Sequence, residues 1–262
     1  MNLVDTHAHL DFDQFDGEVD EVRERAKEAG VATIITVGTT LSRSEKAVTL
    51  ADAYPEVFAS VGVHPHDAGD VDDQAIEKVR ELSANPRVVA IGEIGFDFHY
   101  DDGPDEQTQV AAFLAQAAVA AERGLPIIVH SRDAEEVTVR QLDAVLPSLV
   151  NDPPGVVHCF DGSPDFANAV LERGFLLSFT AIIGYPKNDR LRGIVKEVPL
   201  DRMMVETDCP FLAPQSKRGE RNEPAFVVET ASKIAELKGV PVDEVADATT
   251  ATANRLFKLD RG

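Results

Sequence analysis

Six residues of ligand-forming type each close or follow a short apolar run. His7 and His9 come after Leu3-Val4, and Glu93 comes after Ala90-Ile91-Gly92. His130 comes after Ile127-Ile128-Val129, and His158 after Val156-Val157. Asp208 ends the segment opened by Met203-Met204-Val205. Imidazole nitrogens and carboxylate oxygens are the usual ligands of zinc, manganese and related divalent ions. In His7-Ala8-His9 the period-two spacing turns both rings to one side of a strand. Four imidazoles and two carboxylates are too many for one tetrahedral zinc with an open position, and they suit a pair of ions. Glu93 is the natural bridge between them. His7, His9 and Asp208 would hold one ion, and His130 and His158 the other. Two ions ~3.5–4 Å apart can share a hydroxide and clamp the attacking and leaving oxygens of a displacement.

Those residues can act together only if the fold gathers them. Eight short segments rich in Val, Ile, Leu and Phe recur, at 3–9, 32–37, 57–64, 88–94, 126–130, 155–160, 175–179 and 203–208. Amphipathic helical patterns separate most of them, at 18–29, 42–54, 73–85 and 107–123, with shorter ones at 164–173 and 188–195. Two further helices, 224–238 and 242–256, follow a polar loop. Strands that are apolar almost throughout are buried on both faces, as in parallel sheets. Their spacing leaves room for the crossover helix that a right-handed βαβ unit requires. Eight such units in a chain of 262 residues read as a single-domain α/β protein, a (β/α)8 TIM-like barrel with extra C-terminal helices. A doubly wound open sheet is the alternative. In a barrel the C-terminal strand ends share one rim, and that rim carries the active site. An isolated H-x-H is more often incidental, and His130 or His158 alone would pass for a satisfied core histidine. Six such residues at one rim make a metal centre the better reading.

Composition bounds the setting. Lys+Arg number 25 against 46 Asp+Glu, a net charge of −21, with the acidic residues spread along the whole chain. So negative a surface repels nucleic acid and anionic membranes at low ionic strength, and that repulsion fades at roughly 1 M salt, where the Debye length is about 3 Å. The charge is therefore read first as halophilic adaptation to a salty cytoplasm. One consequence is an expected rise in thermal midpoint between about 0.1 M and roughly 2 M KCl as screening relieves self-repulsion; a midpoint that is flat or falls contradicts it. No apolar run approaches the ~18 residues of a membrane span. The first residues show neither a basic nor a cleavable apolar stretch, and two cysteines cannot form a disulfide framework. A cytoplasmic protein with no membrane association, acting as a monomer, is the expectation.

With these residues in place, the chain closely resembles the TatD family of metal-dependent deoxyribonucleases within the amidohydrolase-like barrel superfamily. The motifs that carry the resemblance begin with Asp5-Thr6-His7-Ala8-His9-Leu10, Val61-Gly62-Val63-His64-Pro65-His66 and Ile91-Gly92-Glu93-Ile94-Gly95-Phe96-Asp97. They continue with Leu125-Pro126-Ile127-Ile128-Val129-His130-Ser131-Arg132, His158-Cys159-Phe160-Asp161-Gly162-Ser163, and the run from Glu206 to Pro214. Arg221-Asn222-Glu223-Pro224 closes the set. The resemblance spans nearly the whole chain. It implies a barrel, divalent-metal hydrolysis of phosphodiesters, and His7, His9, Glu93, His130, His158 and Asp208 as metal ligands; joined to the two-ion reading of the residues, the expectation is two divalent ions (Mg2+, Mn2+ or Zn2+) and a metal-bound hydroxide. Asp208 and Glu93 would be the catalytic carboxylates. The chain departs from the family at Glu220, where a Lys is typical, which removes a possible phosphate contact.

Other residues carry weaker expectations. His64 and His66 could touch a substrate phosphate, although Pro65 between them equally suits a structural turn. Arg132 and Arg221 could clamp phosphate oxygens or form ordinary ion pairs. Asp97 and His99 are placed behind the ligands or on a lid. Cys159 and Cys209, if on strands, face away from the ligands beside them. Phe96, Phe98, Tyr100 and Phe160 could stack on bases, with core packing the better expectation for most. The resulting reading is a sequence-nonspecific DNase or exonuclease whose DNA is held mainly through the metals. A hydrolase of an amide, lactone or aminoacyl ester on the same fold is the first alternative, since fold and metals do not fix a substrate. A non-catalytic binding protein is the second, and the complete ligand set argues against it.

Overall fold

The computed structural model describes residues 2–259. Eight strands, β1 (Leu3–Ala8), β2 (Val31–Val37), β3 (Val57–Val61), β4 (Val88–Asp97), β5 (Ile127–Arg132), β6 (Gly155–Val157), β7 (Leu176–Phe179) and β8 (Met203–Val205), pair in chain order. Every neighbouring pair is parallel. Helices α1 (Val19–Glu28), α2 (Leu41–Ala53), α3 (Asp73–Leu82), α4 (Glu106–Arg123), α5 (Glu135–Val145), α6 (Pro164–Glu172) and α7 (Asp189–Glu197) follow β1 to β7 in turn. After β8 come α8 (Val227–Lys238) and α9 (Val242–Phe257). This is a (β/α)8 barrel, and the open-sheet alternative falls.

The barrel is nearly closed, and its seam matters for the site. β8 is short, and the chain beyond it returns to β1: the Asp208 N–H donates to the His7 carbonyl (2.9 Å), and the His9 N–H to the Cys209 carbonyl (2.8 Å). The backbone contact that closes the barrel therefore sets Asp208 beside His7 and His9. One buried cluster, from Val4, Ile35, Phe58, Val89, Ile128, Val156, Leu176 and Met204, draws on all eight strands and so fills the interior. Ala253, Leu256 and Phe257 of α9 join that cluster. A second and larger cluster packs the helices onto the outside of the strands. Among the described residues no helix is long and apolar enough to cross a membrane.

The strands match the apolar runs, whereas α5 has no counterpart among the patterns read from sequence. Its Val137-Thr138-Val139 stretch is β-branched and lowers helix propensity, and Ala134 before it makes no side-chain cap. Burial of Val137, Thr138, Leu142 and Val145 against the barrel decides the outcome. Elsewhere the starts are signalled locally. Thr40, Asp72, Asp105 and Ser163 each accept from the N–H three residues on, which fixes the first turns of α2, α3, α4 and α6.

Candidate metal centre

Because all eight strands run the same way, their C-terminal ends share one rim. His130 lies within β5 and Glu93 within β4, while His9, His64, His158 and Asp208 lie just past the ends of β1, β3, β6 and β8. Close approach of β4 and β5 requires a glycine. At Gly95 (φ +148°) a Cβ would stand 2.0 Å from the His130 carbonyl oxygen. With only hydrogen there, Glu93 Oε1 reaches His130 Nδ1 at 2.7 Å.

Glu93 is the centre of the cluster, and its two oxygens face different partners. Oε2 looks toward His7 Nε2 (3.4 Å) and His9 Nε2 (4.0 Å). Asp208 Oδ1 completes that side, 3.3 Å from His9 Nε2 and 3.8 Å from His7 Nε2. Oε1 meets His158 Nε2 at 2.6 Å and His130 Nδ1 at 2.7 Å, with His64 Nε2 at 3.6 Å. Three triplets bring ligand atoms within 4.8 Å of one another: His7, His9 and Asp208; His7, Glu93 and His158; and His64, Asp97 and His130.

The donor set fits divalent ions on two grounds. First, the His7 ring is wholly buried and neither of its nitrogens has a hydrogen-bond partner. An orphaned buried polar group costs about 1–3 kcal/mol, so such a ring calls for an unstated partner. Second, the separations around His7, His9 and Asp208 (3.3–3.8 Å) are too long for hydrogen bonds. They match the ~3.4 Å edge between two ligands each ~2.1 Å from one tetrahedral ion.

The surroundings aim the rings. The Val37 carbonyl can only accept, so His9 Nδ1 (2.8 Å) must carry the proton, leaving the Nε2 lone pair toward Asp208 and Glu93. His130 turns Nε2 to Asp97 Oδ2 (3.0 Å), and His158 turns Nδ1 toward Glu206 Oε1 (3.4 Å). Glu206 is itself fixed by the Cys159 N–H (2.6 Å). Asp5, fully buried under the site, accepts from the Thr207 N–H (2.9 Å) and hydroxyl (2.6 Å), which ties the Asp208 segment to β1.

Electrostatics favours cations. Burial raises the Glu93 pKa, but His158, His64 and His130 outweigh it and hold this carboxyl well below the usual range. Burial likewise acts against charge on His9, yet Asp208 and Glu93 raise its pKa to about 9. His158 is raised in the same way by Glu93 and Glu206, against the burial that lowers it. Burial lowers His64 to about 3, so that ring is neutral at physiological pH. Ionised carboxylates are thus held in a buried pocket and draw positive charge into it.

A cavity of about 780 Å³ opens over the cluster. Five of the seven histidines line it, with Glu93, Asp97 and Asp208. His64 and His66 are both there: His66 Nε2 lies 3.1 Å from Asp97 Oδ2, and His64 Nδ1 accepts from the His66 N–H (3.2 Å) at the start of the short 3-10 helix Pro65–Asp70. The structural turn expected from Pro65 is present, and the same turn leaves both rings on the cavity lining. Arg132 is the only Arg or Lys on the lining, and no carboxylate pairs with it among the described residues. Arg221 is not brought to the cavity. It is held by the Gln14 carbonyl and Glu18 (2.8 Å), over the Phe15 ring. Glu220 stands beside it in a separate depression, so the acidic exchange there takes no charge from the main cavity. His99 lies outside too, paired with Asp133 (2.8 Å).

Cys159 departs from the expectation for a strand residue facing away. The strand ends at Val157, the chain turns left-handed at Cys159 (φ +43°), and Cys159 lines the cavity. Cys209 is buried as expected. Of the aromatic candidates, Phe96 and Phe160 are core, while Tyr100 is 51% exposed on the cavity rim. Sequence reasoning passed over Glu206, Asp5, Phe12, Phe211 and Asn222. Asn222, in the Arg-Asn-Glu-Pro motif, is wholly buried and donates to the Thr207 and Phe211 carbonyls (2.9 and 2.6 Å). The motif itself was the available signal for it.

Known proteins are similar to this chain over nearly its whole length. The family model "TatD related DNase" matches residues 4–258. The chain is 42% identical to the uncharacterized metal-dependent hydrolase YabD of Bacillus subtilis, covering 98% of this chain and 100% of that one. It is 36% identical to the 3'-5' ssDNA/RNA exonuclease TatD of Pectobacterium carotovorum, over 98% and 100% of the two chains. The crystal structure of the Escherichia coli TatD homolog YJJV superposes with a TM-score of 0.92 at 30% identity, over 98% of each chain.

Proposed function

The chain belongs to the TatD family of DNase-related proteins and is a metal-dependent hydrolase; from that premise we propose that it hydrolyses phosphodiesters, removing nucleotides from the end of single-stranded or frayed DNA without regard to sequence. The observation that carries the proposal is the two-sided environment of Glu93. His7, His9 and Asp208 gather at one of its oxygens, His130 and His158 at the other, and the cavity opens over both. These six side chains would hold two divalent ions, with Glu93 shared. Such ions supply Lewis-acid stabilisation of the phosphate oxygens and a water of lowered pKa.

The chain's own groups do the rest. Asp208 lines the cavity, and its carboxyl, although burial works to raise its pKa, is held below the usual range by His9 and His7. It is therefore ionised and placed to orient the attacking water and take its proton as the new P–O bond forms, while the P–O bond to the departing sugar oxygen breaks and that oxygen takes a proton from solvent. His64 and His66 meet the phosphate from the β3 side, and Arg132 offers a guanidinium fork. With Arg132 the single Lys or Arg on the lining and a net charge of −21, affinity rests on the ions and on few lysine or arginine contacts. Salt then inhibits only weakly, since few counterions are released. All six ligands come from one chain, so a monomer has a complete site.

End-labelled oligonucleotides, single-stranded and duplex, are to be incubated at high salt with Mg2+, Mn2+ or Zn2+, beside amide, lactone and aminoacyl-ester substrates. Stepwise shortening of the single strand, stopped by EDTA and by His130→Ala, is the expected result. No DNA product with any metal, together with turnover of one of the other substrates, overturns the reading.

A further inference from the structure

Four large apolar or aromatic side chains are conspicuously exposed among the described residues, and two of them, Tyr100 (51%) and Phe211 (46%), stand on the cavity rim. They lie at opposite ends of the cluster. Phe211 is 6.2 Å from the His9 ring and packs edge-on against Phe12 (5.7 Å), which in turn lies 4.8 Å from His9. Tyr100 is 5.3 Å from the His66 ring, beyond His130 and Asp97, and the Arg132 guanidinium sits 5.4 Å from its centroid. The backbone leading to each ring is anchored. The Phe211 backbone is fixed at both ends, its carbonyl by buried Asn222 (2.6 Å) and its N–H by the Asp208 carbonyl (3.0 Å). Asp97, three residues before Tyr100, is clamped by both ends of the Gln109 amide (2.8 and 2.9 Å). A ring left half in water beside a reactive centre, with its other face against histidine, phenylalanine or arginine, can take another flat, apolar face. Nucleobases offer such a face whatever their sequence.

Building on the phosphodiesterase reading above, we propose that Phe211, backed by Phe12, and Tyr100, beside Arg132, are two nucleobase platforms flanking the metal cluster, so that a strand end is gripped by its last two bases with the scissile phosphate between them. Paired bases cannot present their faces this way, so a duplex end must fray before it is cut. Arg132 then meets a phosphate on the Tyr100 side. Recognition comes from stacking, which needs no surface lysines and suits so acidic a protein.

The test uses metal-loaded enzyme and single-stranded oligonucleotides carrying one abasic analogue at the last or the penultimate position of either end. For the wild type, loss of a base at each of two adjacent positions is expected to raise KM by about 5- to 150-fold, the range for one base–aromatic stack. Phe211→Ala abolishes the penalty at one position and Tyr100→Ala at the other. Each raises KM for the intact strand by a similar factor, leaves metal content unchanged, and is restored by Phe211→Tyr or Tyr100→Phe. If the wild type shortens intact and abasic strands equally well, the platforms are wrong while the phosphodiesterase reading stands. If the alanine variants slow cleavage but keep both abasic penalties, the rings act only through the fold and the proposal is overturned. A wild type that shortens no strand overturns both.

Discussion

Glu93→Ala is expected to lower hydrolysis by at least a thousandfold and to reduce bound metal from two equivalents to one or fewer. The reason is position. One oxygen of Glu93 faces His7 and His9, and the other faces His130, His158 and His64. Among the described residues no other carboxylate touches both groups, so its loss leaves four imidazoles with Asp208 at one side only. Glu93 is buried, yet its removal does not strand a single opposite charge, because the neighbouring histidines can release their protons. The variant should therefore fold, which circular dichroism checks. His99→Ala is the matched control: His99 pairs with exposed Asp133, away from Glu93, and metal content should stay at the wild-type level. Full metal and full turnover in Glu93→Ala would contradict the assignment outright.

Asp208→Asn separates chemistry from binding. The amide keeps an oxygen for a cation and keeps the shape of the segment, whose backbone N–H still bonds to the His7 carbonyl. It cannot take a proton. A fall in kcat of about 10²–10⁴-fold is expected, the usual range for a positioned acid or base, with KM for the oligonucleotide changed much less. The variant also removes the chief attraction that holds the His9 pKa up at about 9, so His9 should titrate lower in the metal-free protein, by NMR of its ring protons. An unchanged kcat removes Asp208 from the proton transfer.

Much of this was legible in the sequence, for a simple reason. Parallel strands buried on both faces leave apolar runs, and a residue at the end of each run lies on the same rim in any barrel. His9, His64, His158 and Asp208 reach that rim even though they sit beyond the strand ends. What stayed hidden depends on the seam and on burial. Asp5 and Thr207 are about 200 positions apart in the chain and meet only because β8 returns to β1. Glu206 looks like a surface acid until the barrel buries it beneath His158. Arg221 and Asn222 are adjacent in one motif, yet Asn222 turns inward to hold the Phe211 loop while Arg221 turns out to Glu18. Helix α5 was obscured by its β-branched centre, where packing overrides propensity. Cys159 reached the cavity through a left-handed turn that alternation along a strand does not foresee.

The central claim is that one buried cluster holds two ions and that both are needed for hydrolysis. It is tested most directly by stripping the protein of metal, titrating it with Mn2+, and following bound metal and shortening of a single-stranded, end-labelled oligonucleotide in the same samples. The account predicts saturation at two equivalents per chain, with activity appearing only as the second is bound. Full activity at one equivalent, or with none bound, would contradict it.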